Sequence, residues 1–415
     1  MRDSAGSARV LMLLGNNPYP HDPRVRREAV ALASAGYEVT VICPRLPSQS
    51  RSERIDGVRV LRYRTPERVP GAAGYIVEYA YATLASLALS LRVLRRHGFD
   101  IVHAHNPPDT FALIGALYKL LGKRFVFDHH DLAPEMYDAR FGGRGSRVVR
   151  TVLVLLEKLS CRLADHVIAA NRSYRAVEIE RGKVAPERIT VVRNGPGFDD
   201  VRPTGPDPGL RARAGTLVGY LGVMGYQDGV DHLLRAMRHL VEDLGRRDAL
   251  CILIGRGDAR EDLERLAREL QIEDHVLFTG FIPVADVVRH LSTVDVCVDP
   301  DPSNPFNDRS TMIKVMDYMS FARPIVAFDL PENRFTAGEA AHHVRPNDDL
   351  ELARAIVELM DDPERRARMG AAGRMRVTSE LAWEYSIPPL LDAYRAVLEP
   401  AREWRHGVAG VRDSA

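Results

Sequence analysis

The chain has 415 residues, of which 45% are hydrophobic, 27% charged and 7% aromatic. That balance excludes a collagen-like, coiled-coil or wholly disordered polypeptide, and the length favours two domains. Net charge is +1 but unevenly spread: residues 1–200 carry 30 Lys and Arg against 21 Asp and Glu, the remainder 27 against 35. A basic front half and an acidic back half imply domains with different partners. No basic run interleaved with aromatics argues for nucleic acid, and none is expected as a partner. Cys43, Cys161, Cys251 and Cys297 lie far apart in apolar segments, which fits free buried thiols in a reducing cytoplasm. No apolar h-region opens the sequence, and no uninterrupted apolar run reaches the ~18 residues that span a bilayer. The nearest, Gly71–Leu94, contains Glu78 and Arg92 and reads as an amphipathic helix, mostly core-facing.

In chain order, Val10–Leu14 is an apolar run ending in Gly15-Asn16-Asn17-Pro18, a buried strand feeding a loop. Pro23–Ala35 has helical spacing, and Tyr37–Cys43 is a second strand. The alternation continues with strands at Asp100–His105, Arg124–Asp128, His166–Ala170 and Ile189–Arg193, and helices at Asp109–Leu121, Arg147–Ala164 and Ser173–Arg181. Asn194–Arg213, rich in proline and glycine, reads as a linker. A second series places strands at Leu217–Leu221, Ala249–Ile254, Val276–Thr279, Val294–Val298 and Ile325–Phe328. Its helices are Gly229–Leu244, Ala259–Leu270, Val284–Leu291 and Thr311–Ser320. Alternating strands and helices make parallel α/β sheets, which bind ligands at the carboxyl ends of their strands.

Three segments of the second series carry possible chemistry. VGYLGVMGYQDG places Gly222 and Gly225 between a strand and a helix, either as a phosphate-approaching loop or as a tight turn. Arg256, in a Gly-Arg-Gly turn, is a phosphate ligand or a surface arginine. Ser310 and Thr311 precede a helix bearing Lys314 and Asp317 on one face. That is an anion and ribose site, or an i,i+3 surface ion pair. In the first series, His129 and His130 end a strand, and His103 and His105 share a face of the preceding strand. Either pair serves a site or local packing. No histidine or cysteine spacing suggests a metal, and Asp299-Pro300-Asp301 reads as a loop feature.

PHDPRVRREAVALASAGYEVTVICP, DIVHAHNPPD, FVFDHHDLAPEMY, ADHVIAANRSYR, VVRNGPGFD, YLGVMGYQDGVDHLLRAM, LIGRGD, VLFTGFIP and KVMDYMSFARPIVAF occur in this order. Together, over residues 9–400, the sequence resembles the family 4 glycosyltransferases, retaining enzymes of the two-domain GT-B architecture. The resemblance implies two tandem Rossmann-like parallel-sheet domains facing a cleft. Residues 1–200 form an N-terminal acceptor-side domain completed by a C-terminal helix at about 385–400. Residues 201–384 form the nucleotide-sugar-binding domain, and 401–415 a disordered tail.

The resemblance also assigns roles. Gly15, Asn16 and Asn17 face the donor diphosphate and sugar, and His130 lies near the transferred sugar. Phe281 and Ile282 read the base by their backbone, and Asp317 is the second acid of the E-x7-E motif, holding the ribose. The first acid is replaced by Arg309, with Asp308 one position away as a possible sugar contact. Lys314 and Arg256 substitute for the basic residues that many relatives carry in the first glycine region. The implied reaction moves a sugar from a nucleotide diphosphate, a UDP-sugar by expectation, to an acceptor hydroxyl of a lipid-linked cell-surface glycan intermediate. The nucleotide sugar is a co-substrate, and neither a cofactor nor a metal is expected. The basic front half and the Gly71–Arg96 segment are compatible with peripheral contact on the inner face of the plasma membrane. A GT-B sugar-nucleotide epimerase, or a non-catalytic paralogue that only binds nucleotide sugars, are the alternatives.

Overall fold

The computed structural model describes residues 8–65, 72–141, 145–198 and 203–399. The predicted tail 401–415 and part of the predicted linker lie outside them. Strands β1 (Arg9–Leu13), β2 (Glu38–Arg45), β3 (Ser52–Ile55), β4 (Val58–Arg64), β5 (Ile101–His105), β6 (Arg124–His129), β7 (His166–Ala169) and β8 (Ile189–Val191) build one sheet, in the order β3-β4-β2-β1-β5-β6-β7-β8. All neighbours pair in parallel except β3, which runs antiparallel to β4. A second, wholly parallel sheet contains β9 (Thr216–Leu221), β10 (Ala249–Ile254), β11 (Val276–Gly280), β12 (Val296–Asp299), β13 (Ile325–Phe328) and β14 (Ala341–Val344). Its order is β11-β10-β9-β12-β13-β14.

Each central strand is a near-continuous apolar run because helices cover both of its faces. Val10–Leu14 and Leu250–Ile254 are almost wholly buried. In each sheet the chain first builds outward on one side and then crosses to the other, at β1/β5 and at β9/β12. Such switch points open a crevice at the carboxyl ends of the strands.

The β3–β4 ribbon escapes a reading based on continuous apolar runs: Val58, Arg59 and Val60 alternate as in a half-buried strand, but the run is short and rich in arginine. The 349–376 region adds two helices, Asp349–Asp361 and Pro363–Arg376, each N-capped by an aspartate side chain, Asp348 and Asp362.

The described residues divide into two compact units, one from residues 8–133, 151–192 and 387–399, the other from 134–150 and 193–386. The helix Ile387–Leu398 belongs to the first unit, where Tyr394 Oη lies 2.7 Å from His103 Nδ1. Two stretches differ from the expected 1–200 boundary. Residues 134–150 group with the second unit, where Arg140 pairs with Asp258 at 2.9 Å. Residues 193–198 do so too: Arg193 lies over the Phe335 ring, and Trp383 N donates to Pro196 O at 2.9 Å.

The helix Ala72–Arg96 corrects another expectation, because it is not mostly core-facing. Over Val77–Arg96 it is long and apolar enough to cross a membrane by length and composition, yet 28% of that stretch is buried. Its buried stripe is narrow and small, running through Ala82, Ser86, Ser90 and Val93, while Val77, Tyr81 and Leu84 are exposed. All four cysteines are buried and unpaired.

Candidate active site

In the first unit the carboxyl ends of β1, β5 and β6 carry a sealed polar cluster. Arg24 and Glu28 come from the helix Pro23–Ser34, where their i,i+4 spacing puts both in the buried stripe with Val25 and Leu32. The Arg24 guanidinium grips both oxygens of Asp128 at 2.9 Å, lies 3.2 Å from Glu28 and donates to Val192 O at 2.8 Å. His105 Nδ1 is 3.1 Å from Asp128 Oδ2.

Burial alone would raise the Asp128 pKa. The charges of Arg24 and then His130 outweigh it and hold the carboxyl well below its usual range. Burial and the charge of Asp128 push Glu28 well above its own. Burial, then mutual repulsion, holds His103 neutral far below its ordinary pKa.

His130 sits at the rim of this cluster. Its backbone N–H donates to Asn106 Oδ1 at 3.0 Å, its Nδ1 is 3.4 Å from Asp128 Oδ1, and its side chain is 13% exposed. Burial works against its charged form, but Asp128 and Asp131 prevail and raise its pKa. Strand alternation sends the adjacent His129 to the opposite face. There it is buried between Glu157 (3.6 Å) and Glu178 (3.2 Å), which lift it against desolvation to about 10. Of the two adjacent histidines, His129 is the structural one and His130 reaches solvent.

Gly15 follows β1, where a Cβ would meet Pro108 Cδ at 2.2 Å, so only glycine fits. Asn16 and Asn17 are exposed, and Asn17 donates to the helix-capping Asp22 at 3.3 Å.

Ligand atoms of Glu28, His103, His105 and Asp128 lie within 4.8 Å of one another. No sequence spacing announces this set, since its members come from three separated segments. The carboxyl oxygens of Glu28 and the Nε2 atoms of both histidines make no hydrogen bond to described residues. Arg24 already supplies a positive charge against both carboxylates.

In the second unit, the loops after β9 and β10 are packed backbone to backbone. A Cβ at Gly255 would meet Gly222 O at 1.9 Å, and one at Gly257 would meet Met224 O at 2.3 Å. Met224 N donates to Arg256 O at 3.1 Å, and Gly225 N donates to Asp228 Oδ2 at 2.9 Å. These glycines are therefore required by close packing, and the amide of Gly225 already has an acceptor. Arg256 projects from the second loop, exposed, with its guanidinium 5.0 Å from the Phe281 ring centroid. Phe281 is 76% exposed, while the neighbouring Ile282 packs on the core.

Lys314 is largely buried, 10% exposed, and doubly paired. Its Nζ lies 3.1 Å from Asp299 Oδ1, contacts Asp301, and sits over the Tyr220 ring. Burial would lower its pKa, but Asp301 and its neighbours hold it well above the ordinary value. The Asp-Pro-Asp run thus serves to neutralise a lysine, and Lys314 does not pair with Asp317. The helix begins at Ile313, with Met312 as an N-cap whose side chain makes no capping bond. Ser310 and Thr311 stand before it, their hydroxyls donating to Phe306 O (2.8 Å) and Glu332 Oε2 (3.3 Å). Asp317 is half-buried on the helix. Arg309 turns back to Pro305 O at 2.8 Å. Asp308 accepts from Ser303 at 3.3 Å through one oxygen, while the other is buried with no partner among described residues.

Residues 22–195 match the glycosyl transferase 4-like domain, and residues 215–362 the glycosyl transferases group 1. The chain belongs to the GT-B glycosyltransferases of the family 4 type. It is a transferase enzyme.

This transferase is 23% identical over 396 residues to the 2-deoxystreptamine glucosyltransferase of Streptomyces kanamyceticus, covering 91% of this chain and 99% of that one. In fold it is similar to sucrose-phosphate synthase from Thermosynechococcus elongatus, with TM-score 0.76, 20% identity, and 94% and 98% of the chains covered. Anabaena HepE in complex with UDP-glucose gives TM-score 0.69 at 17% identity, covering 94% of this chain and 99% of that chain. Sequence reasoning missed Arg24, Glu28, Asp128 and Tyr394. The available signal was two charges, Arg24 and Glu28, in phase with the apolar stripe of their helix.

Proposed function

We propose that this transferase takes its sugar from a UDP-linked donor and moves it, with retention of configuration, to an acceptor hydroxyl of a lipid-linked cell-surface glycan intermediate. The observation that carries the donor reading is the exposed Arg256–Phe281 pair at the carboxyl ends of β10 and β11. An exposed aromatic ring under a guanidinium with no ion pair among the described residues suits a nucleotide diphosphate, because it offers a base platform beside a phosphate fork. HepE, solved with UDP-glucose, favours uridine.

Departure of UDP places negative charge on its diphosphate, which Arg256 and the N-terminal end of the helix Ile313–Ser320, where Met312 supplies no side-chain cap, stabilise without a resident metal. In the front-face route implied by the family, the leaving phosphate takes the bonding electron pair and accepts the acceptor's proton. Asp317 holds the ribose, Asp308 takes the place of the missing first acid through its unpartnered oxygen, and His130 contacts the transferred sugar. The buried free cysteines support a cytoplasmic location, and the exposed apolar residues of Ala72–Arg96 support contact with the inner face of the membrane.

Calorimetric titration of UDP, GDP and ADP tests the donor. UDP is expected to bind tightest, and Arg256→Ala to weaken it. Product anomeric configuration by NMR tests retention. Nucleotide release that needs an acceptor separates transfer from epimerisation and from mere binding. Equal affinity for all three nucleotides would remove the uridine assignment.

A further inference from the structure

A cavity of about 950 Å³, lined by arginines and the apolar Leu61, Leu89 and Val93, lies in the first unit, walled by the β3–β4 ribbon and the later turns of the helix Ala72–Arg96. Eight arginines and one carboxylate, Glu53, line it. Glu53 is taken by the buried Arg62, whose guanidinium also donates to Ser50 O (3.0 Å) and Tyr19 O (2.9 Å). The seven other arginines have no side-chain hydrogen bond or ion pair among the described residues.

Their arrangement breaks three local rules in one place. Arg54 stands directly opposite Arg59 across the antiparallel pair. Arg45 is the register partner of Arg64 across β2 and β4. Arg92 and Arg96 are one helical turn apart on the helix. Like charges directly opposite in a sheet, or at i,i+4 on a helix, destabilise. Three such pairs converging on one cavity repel one another unless a multivalent anion joins them. Slight burial and then the charges of Arg59 and Arg96 also push His97, at the cavity edge, below its ordinary pKa.

We propose that this cavity is a binding site for a ligand carrying two or more phosphoryl charges, gripped by the arginine pairs Arg54/Arg59 and Arg92/Arg96. Guanidinium forks match phosphate oxygens in pairs, and the cavity offers more forks than one phosphate can use. The chemistry is common to a phospholipid headgroup and to a soluble phosphate ester. The site lies apart from the donor residues and does not depend on how they are read.

The test uses the full chain and the double variant Arg54→Gln/Arg92→Gln, probed with inorganic pyrophosphate by calorimetry at low salt. Binding by the wild type with at least about tenfold weakening in the variant is expected. With no anion present, the variant should melt at an equal or higher temperature, since like-charge repulsion has been relieved. UDP affinity should be unchanged, so a failed donor assignment leaves this result standing.

Co-sedimentation with phosphatidylcholine vesicles, with and without phosphatidic acid, separates the sources. Binding only to the acidic vesicles, reversed by pyrophosphate, upholds the site with a lipid headgroup as its ligand. Pyrophosphate binding without vesicle binding upholds it with a soluble phosphate ester. Equal pyrophosphate affinity in wild type and variant, or a lower melting temperature of the anion-free variant, overturns the proposal.

Discussion

At the carboxyl end of the first sheet the charged groups face one another, whereas at the second an arginine and an aromatic ring face water. Arg24, Glu28, His103, His105 and Asp128 are sealed from solvent, and only His130 emerges at the rim. In the second unit Lys314 is paired with Asp299 and Asp301 and only 10% exposed, while Arg256 and Phe281 stand open. Titratable residues at a strand end therefore do two jobs. Buried clusters hold backbone and side chains in place, and exposed members meet ligand. Charge type alone does not tell them apart; burial and prior pairing do.

The largest effect is expected where a sealed cluster loses one partner. Asp128→Asn leaves the buried Arg24 without its bidentate counter-ion, at a cost of about 3–5 kcal/mol. The midpoint of the first unit's unfolding transition in urea measures it, and an unchanged midpoint would contradict a sealed cluster. Lys314→Met should act the same way in the second unit, leaving Asp299 and Asp301 facing each other uncompensated. Its melting loss should exceed its loss of nucleotide affinity. If affinity collapses while the melting temperature holds, Lys314 is a ligand residue and the two regions are less alike than described.

Arg256→Ala inverts that pattern. Nucleotide diphosphate binding should fall about 10–150-fold, the value of one charge-assisted contact of about 1.5–3 kcal/mol, with melting unchanged.

A weaker effect concerns pH. His129 is raised to about 10, so its stabilisation is complete below the ordinary histidine value near 6.5 and is lost as pH climbs toward 10. Asp109, pushed by burial to about 7, contributes in the same direction. Its protonated form is favoured in the fold, and this advantage disappears as pH rises through 7. Melting temperature of the first unit should therefore decline from about pH 4 upward, through Asp109 up to about pH 7 and through His129 above about 6.5, and His129→Gln should flatten the upper part of that slope.

The smallest expected effect is none at all: EDTA should leave glycosyl transfer intact. Loss of activity restored by micromolar zinc or manganese would give the Glu28–His103–His105–Asp128 set a metal and break the view of it as a closed side-chain network.

Most strands were legible because both faces are buried and each reads as an apolar run. The β3–β4 ribbon was not, since it has no continuous apolar run and its alternation of valine with arginine, though that of a half-buried strand, spans only a few residues. The helices at 349–376 carried readable aspartate caps. In the site, the order of motifs pointed to Arg256, Phe281, Lys314 and Asp317. It did not show that Lys314 spends its charge on an Asp-Pro-Asp turn, because that pairing joins a loop to a helix 13 residues on. The Arg24 cluster was illegible for the same reason on a larger scale. Charged residues in an otherwise amphipathic helix look like surface until the sheet that covers them is known.

The contact between Tyr394 and His103 spans 291 residues of sequence. A ribosome adding roughly 5–20 residues per second takes some 15–60 s to cover that distance. For most of that interval, once β5 has cleared the exit tunnel, the helix that carries Tyr394 does not yet exist. The unit that begins the chain is thus the last to be completed, and residues 193–386 are made while it still waits for Ile387–Leu398. A nascent chain stalled before that helix should expose the histidine face of β5 to chaperones, even though every strand of the first sheet has already been synthesised.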